Sequence, residues 1–140
     1  MSSIKLNYDI PANDFVAAGE ASSNVKKKLA QIGLPSNIIK KAAIAMYEAE
    51  INAVIHGNGG KAQVELCRDK VIIRIIDQGP GIPDLELAMK EGYSTAPDNI
   101  REMGFGAGMG LPNMKKYADK LDIDTEVGKG TEVTITVYFF

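Results

Sequence analysis

The feature that most constrains this chain is a pair of hairpin signatures, at 61–77 and 121–139, because a short turn between alternating stretches leaves only antiparallel pairing. In the first, Ala62, Val64 and Leu66 alternate with polar residues, Arg68-Asp69-Lys70 makes a tight polar turn, and Val71 to Asp77 is a β-branched run. In the second, Leu121 to Val127 and Thr131 to Phe139 flank a Gly128-Lys129-Gly130 turn. A further strand precedes both: Ile4, Leu6, Tyr8 and Ile10 alternate with Lys5, Asn7 and Asp9 until Pro11 ends the pattern.

Helical periodicity fills the interval between that strand and the first hairpin. Ala18, Ala21, Val25, Leu29 and Ile32 recur at three- and four-residue spacing from an N-cap at Asn13 or Asp14 to a stop at Gly33. Pro35-Ser36 then opens a longer helix to about His56, closed by the HGNGG turn signal. A shorter helix is expected from Pro112 to about Asp119. Strand, two helices, hairpin, loop with short helices, hairpin is not the alternation of a doubly wound fold. The order predicts an α+β two-layer sandwich, a mostly antiparallel mixed sheet with helices on one face. At 15.1 kDa, residues 1–140 are expected to form a single domain.

Composition removes several function classes. A net charge of -2 without a long run of one sign predicts neither a nucleic-acid footprint nor a polybasic membrane anchor. The single cysteine, Cys67, has no partner for an intramolecular disulfide, and MSSIKLNYDIP lacks the basic and apolar regions of a secretory leader. A cytoplasmic location is the expectation.

Three constellations could carry chemistry. The segment 79–110 is rich in glycine and proline, with one short helical stretch at about 84–90, and so reads as a long loop. It ends in GFGAGMG, with Gly104, Gly106, Gly108 and Gly110 opening onto a helix start at Leu111-Pro112. No lysine followed by Ser or Thr is present and no register gives GxGxxG, which excludes the P-loop and Rossmann fingerprints. Glycine backbone and a helix N-terminus suit a phosphate; a ligand-free linker accounts for the run equally well.

On the long helix, Glu48, Asn52 and His56 are spaced by four and form one stripe, bordering an expected apolar arc of Ile44, Tyr47, Ile51 and Ile55. A carboxylate, a carboxamide and an imidazole in a row can orient a nucleophile, ligate a hard cation and contact a phosphate. A solvated helix edge, with its histidine favoured by the helix dipole, is the alternative. The third constellation is Asp77-Gln-Gly-Pro-Gly81. Asp77 is in phase with Val71, Ile73 and Ile75, on the face opposite Arg74, so its carboxylate points toward the covered side of the sheet. There it requires a hydrogen-bond donor, either a ligand amino group or the DQGPG turn itself. Thr131 is in phase with Val133, Ile135, Val137 and Phe139, and would stand beside Asp77 if the two strands were neighbours.

Taken in order, these motifs resemble the Bergerat ATP-binding fold of DNA gyrase, heat-shock protein 90, sensor histidine kinases and MutL proteins. Within it the chain resembles the bacterial anti-sigma-factor serine kinases and the related switch kinases over nearly all its length. Glu48-Ala-Glu-Ile-Asn52-Ala-Val-Ile-His56-Gly57 matches E-x-x-x-N-A-x-x-H-G, and Asp77-Gln-Gly79-Pro-Gly81 matches D-x-G-x-G. Gly106-Ala-Gly108-Met-Gly110-Leu111 matches the second glycine box, and Gly128-Lys-Gly130-Thr131 the closing G-x-G-T.

The resemblance implies Glu48 as general base, Asn52 as a ligand of Mg²⁺ bridging the triphosphate, and Asp77 as acceptor for the adenine amino group, supported by Thr131 through a water. His56, Gly79, Gly81 and Leu111 fall within the matching boxes as nucleotide-binding positions. An ATP lid is implied at about 82–110, with Thr95 and Arg101 as candidate contacts and its glycines closing on the phosphates. The implied activity is ATP- and Mg²⁺-dependent phosphorylation of a serine on a STAS-type anti-anti-sigma partner, with a sigma factor as a second partner and a homodimer as an assembly. A nucleotide-dependent binding module without catalysis, and the catalytic half of a split histidine kinase, are the alternatives.

Overall fold

A computed structural model describes residues 3–12, 18–55, 58–82, 89 and 110–140. The first elements are β1 (Ile4–Ile10), α1 (Glu20–Gln31) and α2 (Ser36–Ile55), followed by the hairpin β2 (Gly60–Leu66) and β3 (Lys70–Asp77). Helix α3 (Gly110–Tyr117) then leads into the second hairpin, β4 (Lys120–Glu126) and β5 (Gly130–Tyr138). The strands lie in the order β1-β2-β3-β5-β4. All four pairings are antiparallel, so the two hairpins meet along β3 and β5, and no parallel pair occurs among the described strands.

The register follows from which residues need cover. Val71, Ile73 and Ile75 of β3 stand opposite Val137, Ile135 and Val133 of β5, all buried. A slip of β3 by one residue would turn Val71, Ile73 and Ile75 to the other face and bring Arg74 inside, at roughly 1.5–3 kcal/mol for each large side chain lost from the core. The described helices pack on this face. Val25 and Leu29 of α1 and Leu111 and Met114 of α3 join Ile73, Ile75 and Ile135 in one core, which is the expected two-layer arrangement.

The apolar face of α2 differs from expectation. Its buried residues include Ile38, Ala42, Ala45, Met46, Ala49, Ala53 and Val54, whereas Ile44 and Ile55 are only partly covered and Tyr47 is 37% exposed; of the expected arc, Ile51 alone is buried. Hydrophobicity pointed to the bulky residues, but close approach to β3 and β5 requires small ones. Four alanines let the helix axis sit low on the central strands.

The start of α1 also differs. Its N-cap is Gly19, in the left-handed region at φ 95°, which supplies no side-chain cap. The cap comes from Glu50 of α2, 3% exposed, whose Oε2 accepts from the Gly19 and Ala21 N–H groups at 3.0 and 3.2 Å and whose Oε1 accepts from Ser22 N–H at 3.0 Å. Asn13 and Asp14, the caps expected from sequence, lie outside the described residues.

Candidate functional site

Helix α2 lies over β3 and β5 and packs against α3. Glu48 and Asn52 sit half-buried at the edge of its alanine face, so the polar stripe does border the core. Asn113 of α3 donates to Glu48 Oε1 at 3.5 Å, the long end of a hydrogen bond. Burial pushes the Glu48 carboxyl above its ordinary value of 4.5, and the Asn113 amide only partly opposes this. A carboxylate so placed is a stronger base than one in open water. Nothing in the sequence marked Asn113, because its contact with Glu48 exists only through the packing of α3 on α2.

On its other side Glu48 reaches an open groove between α1 and α2, whose walls include Gly19, Ser22, Ser23, Ile44 and Tyr47. Gly19 and Tyr47 face each other closely across this groove: a Cβ on Gly19 would come within 3.0 Å of the tyrosine ring. The tyrosine hydroxyl is pushed to higher pKa by burial and then by the neighbouring Glu48 and Glu50 charges.

Asp77 closes β3 directly opposite Thr131 of β5, so the two strands are neighbours, the condition that the sequence left open. Its Oδ1 accepts the Gly79 N–H at 3.0 Å and the Thr131 N–H at 3.2 Å. The first bond is the turn cap that the DQGPG sequence allows, and the second locks the carboxylate to the neighbouring strand. Turn capping and a site role are therefore compatible.

The turn after Asp77 is clamped onto the second hairpin. Pro80 O accepts from Gly128 N–H at 2.9 Å, and Ile82 N–H donates to Thr125 Oγ1 at 2.8 Å. Gly81, at φ 80°, lies so near the Glu126 carbonyl that a Cβ would sit 2.5 Å from its oxygen. Gly130, at φ 121°, packs in the same way on the Asp77 carbonyl, which explains glycine at both positions. Thr131 is buried, with its hydroxyl 2.9 Å from that of Thr125. Thr125 was invisible in the sequence as anything but a strand-favouring residue.

Gly110 is the first residue of α3, and the Leu111 side chain goes into the core, so Leu111 can meet a ligand only through its backbone. His56, Thr95, Arg101, Gly104, Gly106 and Gly108 lie outside the described residues, as does most of the expected lid.

Residues 37–139 match the family described as histidine kinase-, DNA gyrase B- and HSP90-like ATPase. The chain belongs to this family. Among relatives, it is 35% identical to an anti-sigma F factor of Clostridium beijerinckii over 117 residues, covering 79% of this chain and 78% of the relative. It is 33% identical to the serine/threonine-protein kinase RsbT of Bacillus subtilis over 124 residues, covering 86% and 85%. The chain lies in the anti-sigma and serine/threonine-kinase group of the ATPase family, and its enzyme class is that of an ATP-using protein kinase. The crystal structure of the RsbU and RsbW domains of Rv1364c from Mycobacterium tuberculosis shares the fold, with a TM-score of 0.57 at 19% identity. That alignment covers 98% of this chain and 32% of the solved one. Among the described residues no helix is long and apolar enough to cross a membrane.

Proposed function

We propose that this ATPase-family chain phosphorylates a serine or threonine on a small STAS-type anti-anti-sigma protein, and that it also binds a sigma factor. The observation that carries the reading is the position of Glu48. It is half-buried and raised in pKa on the side of α3, yet open to the α1–α2 groove on the other, where a partner's hydroxyl could enter.

In this reading Asp77, already fixed by two N–H donors, accepts a hydrogen bond from the amino group of adenine. Thr131, Gly79 and Gly81 shape the wall beside it. Asn52 offers a hard amide oxygen one helical turn from Glu48, which fits a magnesium ion held mostly by phosphate and water oxygens. When bound, that ion neutralises phosphate charge. Gly110 and the backbone of Leu111, at the N-terminus of α3, face the phosphates, and Gly104, Gly106, Gly108, Thr95 and Arg101 belong to the lid, with His56 at the end of the stripe.

The chemical step needs little beyond positioning. Glu48 accepts the proton of the acceptor hydroxyl as that oxygen bonds to the γ-phosphorus, and the bond to the bridging oxygen breaks to release ADP. Incubation with labelled ATP, Mg²⁺ and candidate STAS proteins tests this directly. The expected product is an acid-stable phosphoserine or phosphothreonine on the partner. Glu48→Ala should reduce transfer by at least about 10²-fold while ATP still binds. An acid-labile product would replace the reading with a histidine kinase, and equal transfer by wild type and variant would remove Glu48 from its role.

A further inference from the structure

The hydroxyl of Thr125 stands where three hydrogen bonds meet. It accepts from Ile82 N–H at 2.8 Å, lies 2.9 Å from Thr131 Oγ1, and donates to Gly130 O at 3.3 Å. A threonine hydroxyl has one proton and two lone pairs, and a carbonyl can only accept. One arrangement makes all three bonds at once: Thr131 donates to Thr125, Thr125 donates to Gly130 O, and Ile82 N–H fills the remaining lone pair of Thr125. Thr131 is 8% exposed, and a buried hydroxyl rarely forgoes such a partner.

The consequence falls on Thr131. With its only proton committed to Thr125, its oxygen can offer the site nothing but lone pairs. It stands opposite Asp77, whose carboxylate is also an acceptor. Two adjacent acceptors favour an amino group and oppose a carbonyl oxygen.

We propose that Thr125 is a specificity-determining residue, which sets the direction of the Thr131 hydroxyl so that the site accepts a 6-aminopurine and rejects a 6-oxopurine. The inference rests on the adenine reading of Asp77 and adds a residue that touches no nucleotide itself. Without the Thr125 hydroxyl, Thr131 can rotate and donate to a 6-oxo group, directly or through a water. The oxopurine then loses its penalty.

The test compares ATP with ITP, in which an oxo group replaces the 6-amino group and N1 carries a hydrogen, by measuring both dissociation constants on the full chain. The N1 difference is the same for wild type and variant, so the change in the ratio reports on Thr125. Wild type should prefer ATP. Thr125→Val, which keeps the shape and removes the hydroxyl, should shrink the ATP-to-ITP preference about tenfold, the effect of one correctly or wrongly directed hydrogen bond. Thr125→Ser should restore it to within about threefold. Thermal melting of the variants without nucleotide reports on folding separately, since the lost Ile82 contact weakens both ligands alike. An unchanged ratio in Thr125→Val, with ATP still preferred and still dependent on Asp77, overturns the role of Thr125 alone. ATP binding indifferent to Asp77→Asn overturns the adenine reading and this inference with it.

Discussion

At the scale of single residues, two opposing influences set the basicity of Glu48, and the larger is burial. As the general base proposed above, Glu48 must be ionised to act, so the acid limb of the rate profile should lie above the ordinary glutamate value of 4.5. The Asn113 amide stabilises the charged form by donating to it. Asn113→Ala removes that donor and leaves desolvation unopposed, which raises the carboxyl further. The acid limb of kcat should therefore move to higher pH in the variant, with the plateau rate changed little. A limb that stays in place, or moves to lower pH, would show that Asn113 does not act on Glu48 in the functioning enzyme. A single pH–rate comparison distinguishes these outcomes.

At the scale of elements, the orientation of α1 depends on Glu50. Three backbone donors at the start of the helix converge on one buried carboxylate from α2, so the helix is fastened to its neighbour at the point where the Glu48 groove begins. Glu50→Ala would leave those donors buried without acceptors, at about 2–4 kcal/mol of stability. Glu50→Gln keeps one acceptor oxygen but turns an NH₂ group toward an N–H, and should cost about half as much. Urea denaturation of the three proteins gives the order wild type, Gln, Ala; a wild-type midpoint in both variants would rule out the capping role.

This joint also shows where the sequence stops being informative. The strands were legible because alternation is local, and β1, both hairpins and the face carrying Asp77 follow from it. The Glu48–Asn52 stripe was legible because helical spacing is local too. The cap of α1 was not, because Glu50 lies 28–31 residues away from its donors and α1 brings only a glycine to the cap position. The buried face of α2 was misjudged for a related reason. Side-chain hydrophobicity favours isoleucine and tyrosine, while the distance allowed between helix and sheet, a tertiary quantity, selects alanine. Asn113 was hidden in the same way, since it meets Glu48 only through the packing of α3 on α2. Thr125 was hidden because alternation shows only that it faces Thr131 across the hairpin, and not the Ile82 N–H that it also binds.

At the scale of the whole molecule, both layers share one core, to which every described helix and all five strands contribute. Further ties cross the structure: Asp119, beside the start of β4, pairs with Lys41 of α2 and accepts the Tyr138 N–H of β5 at 2.7 Å. Burial works against the ionised Asp119, but these hydrogen bonds and the Lys41 charge outweigh it and hold its pKa low. With no described element packed apart from the rest, unfolding should be one cooperative transition, and a ligand that binds only the folded chain should move all of it. ATP at 100 times its dissociation constant would add about 2.7 kcal/mol, or roughly 10 °C in Tm for a domain of this size. Asp77→Asn isolates the cause. Asparagine keeps an Oδ1 for the Gly79 and Thr131 N–H groups, so the variant should melt within about 3 °C of wild type when empty. It presents an NH₂ group where, in the proposed site, the adenine amino group needs an acceptor, so the ATP-induced rise should nearly vanish. A variant that melts normally and is still stabilised fully by ATP would locate the base elsewhere than at Asp77.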